Sequence, residues 1–438
     1  MQINRYVWND TPQEQRERVL ARVQANFDSI TDVVQGIIDE VRTDGDAALV
    51  RYAAKLDGVT LEPDALRVTA AEFDAAEQEV GPELRGAMQD AHDSIVTHHR
   101  EQLPVESWMK EIGPGVLSGE RVTPITSVGL YVPRGKGSFP SVMLMLCTPA
   151  VLAGVPYIAV CTPPGPDGSI DAASLVAAQI CGIDIVYKVG GAQAMAALAY
   201  GTESIRRVEK IVGPGNQYVS AAKRLLYGVV DPGPPAGPSE SIVLADATAD
   251  PEIVAREWLV EAEHGPDSAA LLVTDSPRLA DAVEAIVPGL VAKLPDQRRS
   301  FVETVLAGYG GVVLTEDMAE AIEFVNDYAP EHLRVIAVAP FELLPKLVNA
   351  GEILLGDYTS IPFGNFSIGL NAILPTGGNA RSHSCVSLHT FLKQSSFAYV
   401  SAEGARRIGP TAIALAQWEG FPAHEAAAQH AVDRAGRG

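Results

Sequence analysis

Positive charge is what this sequence has least of. Its 33 lysines and arginines stand against 55 aspartates and glutamates, a formal net charge of −22. Docking on phosphate backbones or anionic lipid needs a basic patch, so nucleic acid and membrane surfaces are not expected partners. Long apolar runs are missing too, and nothing reaches the roughly 20 residues that a spanning helix requires. The opening stretch Met1-Gln2-Ile3-Asn4-Arg5-Tyr6 has no apolar signal core, so export is not expected. Cysteine is scarce: Cys147, Cys161, Cys181 and Cys385 are scattered, with no Cys-x-x-Cys spacing, and three lie in apolar runs. They read as small buried hydrophobes in a reducing compartment, which excludes a disulfide framework and a thiolate metal site. These absences set a cytoplasmic enzyme as the expectation. With 47% hydrophobic and 20% charged residues the chain is of ordinary globular composition, and 438 residues are enough for two or three domains.

Between residues 126 and 380 short apolar runs alternate with helical stretches. Val128–Val132, Tyr157–Cys161, Asp184–Val189 and Lys210–Val212 read as strands; so do Ser241–Leu244, Ala270–Val273 and Val312–Leu314. The helices between them, Val142–Ala153, Ala172–Cys181, Ala192–Tyr200 and Tyr218–Tyr227 and those opening near Pro251, Pro277 and Asp317, complete βαβ units. The fold class is therefore α/β, with two Rossmann-like doubly wound parallel-sheet domains. Residues 1–125 read as an N-terminal helical region, 126–238 and 239–380 as the two domains, and 381–438 as a C-terminal helical arm. The last helix, Pro422–Ala435, is alanine-rich and too poor in apolar surface for a core of its own, so the arm is expected on a partner subunit. Three histidines, His92, His98 and His99, fall on a helix expected over Ala70–Arg100 and read as a solvated face.

Two short clusters carry titratable groups in fixed settings. In Asn326-Asp327-Tyr328-Ala329-Pro330-Glu331-His332-Leu333, Pro330 stops a helix and an apolar strand follows, so Glu331 and His332 sit on a stiff turn. An acid beside an imidazole suits proton transfer near neutrality, although the dipeptide alone also fits a solvated turn. The second cluster, Glu261-Ala262-Glu263-His264, ends the helix from Pro251; residues three apart share a helix face, and carboxylate with imidazole suits Zn²⁺ or a surface pair. Asp267 beyond it reads as a turn cap. Four glycine-rich turns, at 131–137, 189–193, 213–217 and 236–240, read as strand ends where backbone N–H groups can approach a ligand. None is the Gly-x-Gly-x-x-Gly fingerprint.

Taken in order, Leu130-Tyr131-Val132-Pro133, Gly190-Gly191-Ala192-Gln193-Ala194, Gly213-Pro214-Gly215-Asn216, Ala236-Gly237-Pro238-Ser239-Glu240, Ala262–Ser268 and Asn326–His332 resemble the motifs of the histidinol dehydrogenase family, from about Ile37 to His424. The resemblance implies an NAD-dependent enzyme in which a zinc ion holds the substrate and two hydrides pass to two NAD molecules, alcohol to aldehyde to acid. It implies that Glu331 and His332 are the catalytic pair. It also implies NAD contacts at Tyr131, Gln193 and Asn216, and substrate contacts at Ser239 and Glu419. The metal ligands it implies are Glu261, His264, Asn365 and His424, with Glu419 and His424 coming from the partner of a homodimer.

Three positions depart from the family pattern. Gln is replaced by Glu261, Asp by Asn365, and the His of the family's Asn-His-Val-Leu-Pro-Thr by Ala372. The first two exchanges compensate in charge, which fits a retained, re-tuned metal site; the third has no counterpart. Histidinol is the nominal substrate. The alternatives are a paralogue oxidising another polar alcohol, as the sulfopropanediol dehydrogenases of the superfamily do, a zinc hydrolase, and a non-catalytic binding protein.

Overall fold

The computed structural model describes residues 1–22, 28–134, 137–235 and 237–437. Residues 23–27 of the first expected helical region, Gly135 and Lys136 of one glycine-rich turn and Ala236 of another lie outside the described residues. The chain divides into two compact units, Met1–Gln102 with Thr126–Phe391, and Leu103–Ile125 with Leu392–Gly438. In chain order the strands are β1 (Arg5–Val7), β2 (Ser107–Gly113), β3 (Val116–Pro124), β4 (Val128–Tyr131), β5 (Ile158–Thr162), β6 (Val186–Lys188) and β7 (Lys210–Val212). They continue with β8 (Glu240–Ala245), β9 (Ala269–Thr274), β10 (Gly311–Leu314), β11 (His332–Ile336), β12 (Glu352–Leu355) and β13 (Leu392–Val400).

The first unit holds two parallel sheets, β6-β5-β4-β7 and β1-β10-β9-β8-β11-β12. Counting from the first strand of each Rossmann-like half, both run third, second, first, fourth. The duplicated rhythm of the sequence is thus a duplicated topology, with the reversal point between β4 and β7 and between β8 and β11. The apolar runs are continuous because both sheet faces are covered. In the larger sheet Val243, Leu272 and Val312 enter one core, while their neighbours Ile242, Leu271 and Val313 enter the other. Each such side chain contributes about 1.5–3 kcal/mol by leaving water. In the smaller sheet the helix Gly191–Tyr200 is buried nearly all round, and Leu198 lies so close to Gly129 of β4 that a side chain there would clash. Cys147, Cys161 and Cys181 are free and buried, and Cys385 is free and partly buried. No helix among the described residues is long and apolar enough to cross a membrane.

The region before residue 126 differs from a run of helices. The expected helix over Ala70–Arg100 is two, Ala70–Glu79 and Pro82–Arg100, because Pro82 opens the second at its first position. His99 is fully buried, contrary to the solvated face expected of the three histidines: Met88, Ile95 and His99 form the inward stripe of the second helix. Residues 107–124 form no helix at all. In the second unit β2 and β3 make a hairpin, turned at Gly115 with φ 72°, and β13 adds along β3 from Leu392↔Pro124 to Val400↔Val116. The helices Ala402–Trp418 and Pro422–Gly436 lie against one another, with Gly409 under Val432.

Candidate active site

The helix Met318–Tyr328 starts on the Asp317 cap and stops as expected before Pro330, but by an unusual route. Ala329 adopts the left-handed conformation (φ 52°), which costs a residue with a Cβ about 1–2 kcal/mol. That turn delivers His332 to the first position of β11, with Glu331 immediately before it. The loop after Glu261–Glu263 leads into β9, Ser239 precedes β8, and Glu352 opens β12. These side chains gather at the amino ends of the parallel strands, so the fourth glycine-rich turn, at 236–240, precedes its strand and does not follow one.

Here His332 Nε2 lies 3.8 Å from Glu261 Oε1 and 3.9 Å from Glu331 Oε1, while Nδ1 lies 2.5 Å from Glu352 Oε1. Glu331 accepts the Glu240 backbone N–H at 2.9 Å, and Glu240 is paired with buried Arg22 at 3.3 Å. The Arg22 guanidinium stacks 3.7 Å over Tyr328. Burial, reinforced by the carboxylates of Glu261 and Glu240, pushes the Glu331 carboxyl up to about 8. Burial works against charge on His332, but Glu261, Glu331 and Glu352 outweigh it and raise the imidazole to about 10. Glu240 is likewise raised by burial, to about 7.

His264 Nδ1 lies 3.5 Å from Glu261 Oε2 and 3.2 Å from Ser239 Oγ. Asn365 reaches the same carboxylate, its Nδ2 donating to Glu261 Oε1 at 3.4 Å. Its short helix Ile361–Phe366 is anchored by Glu257, one turn before Glu261, which accepts the Ile361 N–H at 2.9 Å. No group of three or more His, Cys, Asp or Glu side chains forms a metal cage among the described residues. The set at Glu261 has two such side chains and an amide. Glu261 Oε2 and Asn365 Oδ1 are nevertheless buried without a hydrogen bond, and an unpaired buried acceptor costs about 1–3 kcal/mol. Two such oxygens beside an imidazole are a donor set that fits a divalent cation.

The candidate cofactor residues gather elsewhere, at the carboxyl ends of the four-stranded sheet. Tyr131 ends β4, and its hydroxyl accepts the Gly191 N–H at 3.0 Å, at the start of the helix that carries Gln193. Gly213, after β7, lies against the Tyr131 carbonyl where no Cβ could fit, and its φ of 137° suits glycine alone. Asn216 caps the helix Gln217–Leu225, accepting the Tyr218 and Val219 N–H groups. Gln193 is buried with Oε1 unpartnered, an acceptor available to a ligand.

A family model for histidinol dehydrogenase matches residues 20–432. The chain belongs to the histidinol dehydrogenase family. It is 49% identical to the histidinol dehydrogenase of Synechocystis sp. over 94% of this chain and 95% of that one. It is 50% identical to a histidinol dehydrogenase homolog of Cereibacter sphaeroides over 97% of each. The crystal structure of histidinol dehydrogenase from Elizabethkingia anophelis superposes with a TM-score of 0.93 at 35% identity, covering 99% of this chain and 98% of that one. As a member of the histidinol dehydrogenase family the protein is an oxidoreductase, and the hydrolase and binding-protein alternatives fall away.

Of the residues expected at a histidinol dehydrogenase site, Glu331, His332, Glu261, His264, Asn365 and Ser239 come together in the first unit. Glu419 and His424 belong to the second unit, at the end of the helix Ala402–Trp418 and on Pro422–Gly436, where His424 lies against Phe421. Ala372 is half-buried, and the neighbouring Asn371 amide is occupied by the Met145 carbonyl and the Ile373 N–H. Two participants were missed in the sequence, Glu352 and Arg22. The only signal for Glu352 was an acid opening the apolar run Ile353-Leu354-Leu355.

Proposed function

We propose that the protein is an NAD-dependent, metal-assisted alcohol dehydrogenase whose nominal substrate is L-histidinol, oxidised through the aldehyde to L-histidine. One observation carries this reading: Glu331 and His332 share a buried cluster with Glu261 and Asn365, each of which has an oxygen without a hydrogen bond that fits a cation. With part of the negative charge that holds its proton neutralised by a cation at Glu261, His332 is freed at Nε2 to take the hydroxyl proton as hydride leaves carbon. Glu331, held by the Glu240 N–H and relieved of the Glu261 charge by the same cation, would accept a proton from the water that hydrates the aldehyde. Tyr131, Gln193 and Asn216 orient NAD. Glu261, His264 and Asn365 would hold a zinc ion, with His424 of a second copy as further ligand and that copy's Glu419 beside the substrate. A zinc ion there supplies Lewis acidity toward the hydroxyl and offsets the carboxylates' charge.

The second unit supports a homodimer by its exposed apolar side chains, Trp418, Leu415, Phe421, Trp108 and Met109. Mixing inactive His424→Ala and His332→Ala subunits should restore part of the activity, because each hybrid dimer has one site with both residues intact. A second reading, a relative specialised for another polar alcohol, is favoured by Ala372, which offers only a methyl group where the family places an imidazole. Counting NADH formed per molecule of L-histidinol decides between them. About two supports histidinol as substrate, and none directs the search to other polar alcohols.

A further inference from the structure

His332 and Glu352 are direct neighbours in the register of β11 and β12. In adjacent parallel strands such a pair points to the same sheet face about 4.8 Å apart, so the carboxylate reaches the imidazole without distorting either strand. Both residues are buried, and their contact, Nδ1 to Oε1 at 2.5 Å, is the closest that His332 makes. The other carboxylate oxygen, Oε2, has no hydrogen-bond partner in the protein. Glu352 instead lines a cavity of about 170 Å³ together with His98, His99, Gln102, Asn371 and Cys385. His99 donates from Nδ1 to the Ile95 carbonyl and leaves Nε2 unpartnered.

We propose that Glu352 is a positioning residue for the dehydrogenase reaction. It fixes the His332 ring through Nδ1–H so that Nε2 faces Glu261 and Glu331. The proposal rests on the reading of His332 as base. In the step concerned, the O–H bond of the alcohol breaks and its proton joins Nε2, hydride goes from carbon to NAD, and Glu352 keeps its hydrogen bond and gains nothing. A carboxylate can only accept from Nδ1. A glutamine can also donate there, which puts the ring proton on Nε2, where a base must have none.

The test compares Glu352→Gln, Glu352→Asp and His332→Asn in the full-length, metal-loaded protein. Turnover is measured with L-histidinol, or with 2,3-dihydroxypropane-1-sulfonate if histidinol is not oxidised. Glu352→Gln should lower kcat by roughly 10²–10⁴-fold while KM for the alcohol and for NAD stays within about threefold. Glu352→Asp should recover part of the loss, and Glu352→Gln should cost nothing further on top of His332→Asn. A readout that needs no substrate is the far-downfield proton resonance of a short imidazole–carboxylate hydrogen bond. It should be present in the parent and absent from both His332→Asn and Glu352→Gln. If Glu352→Gln keeps kcat within about threefold, or the resonance persists in it, the proposal is overturned. Full turnover by His332→Asn would instead overturn the base assignment, while the resonance would still report the contact.

Discussion

The two sheets of the first unit share one strand order and use opposite edges. In the smaller sheet the candidate cofactor residues follow the strands, where the helices Gly191–Tyr200 and Gln217–Leu225 begin. In the larger sheet the titratable residues precede the strands, where the helices Pro251–Leu259 and Met318–Tyr328 end. Helices covering a parallel sheet run against its strands, so one edge collects helix N-termini and the other C-termini. The positive dipole end suits the pyrophosphate of a dinucleotide; carbonyls and the negative end suit a cation. On the proposed function, topology places each site at the reversal point of its sheet, while the sign of the ligand's charge selects which strand ends it occupies.

Breaking the cation side should have the largest effect. Glu261→Ala should remove bound divalent metal and activity together, roughly a thousandfold or more, with NAD affinity unchanged. Metal analysis beside an NAD titration checks this, and full metal content in the variant would take Glu261 out of the ligand set. Next comes the division of labour within that edge. His332→Asn should lower alcohol oxidation by about 10²–10⁴-fold, whereas Glu331→Gln should act mainly on aldehyde oxidation. Single-turnover rates on alcohol and on aldehyde separate the two, and equal losses in both steps would show that the roles are not divided.

The opposite edge should respond more mildly and in a different parameter. Gln193→Ala removes one buried acceptor and should raise KM for NAD about tenfold, leaving metal content intact. The smallest effect concerns Asp57, whose charge bears on Tyr131 and whose Oδ2 lacks a partner. Burial raises its carboxyl from 3.8 to about 6. A folded-state pKa above the unfolded one contributes stability that is complete below 3.8 and is lost as pH rises through about 6. The parent should therefore fall behind Asp57→Asn between pH 4 and 7. Partial exposure keeps the difference to about 1–2 kcal/mol, readable from denaturant midpoints at the two pH values.

Local chemistry was legible in the sequence, and long-range pairing was not. Pro330 after a helical period located the Glu331–His332 turn, and continuous apolar runs located the parallel strands, because each signal is complete within a few residues. Glu352 was silent, since its meaning depends on which residue of β11 lies opposite. The hairpin of β2 and β3 went unseen for a similar reason: β13, which extends it, lies far along the chain. His99 was misread because a histidine on a mixed helix declares its face only when the partners of that helix are known.

The edge strand β1 has a consequence for how the molecule is born. Arg5 pairs with Val312, so the segment that leaves the ribosome early waits roughly three hundred residues for its neighbour. Until β10 is synthesised the nascent larger sheet cannot be completed, and its apolar strands remain open to other chains. Synthesis rate and chaperone supply should therefore affect how much of this protein a cell recovers folded.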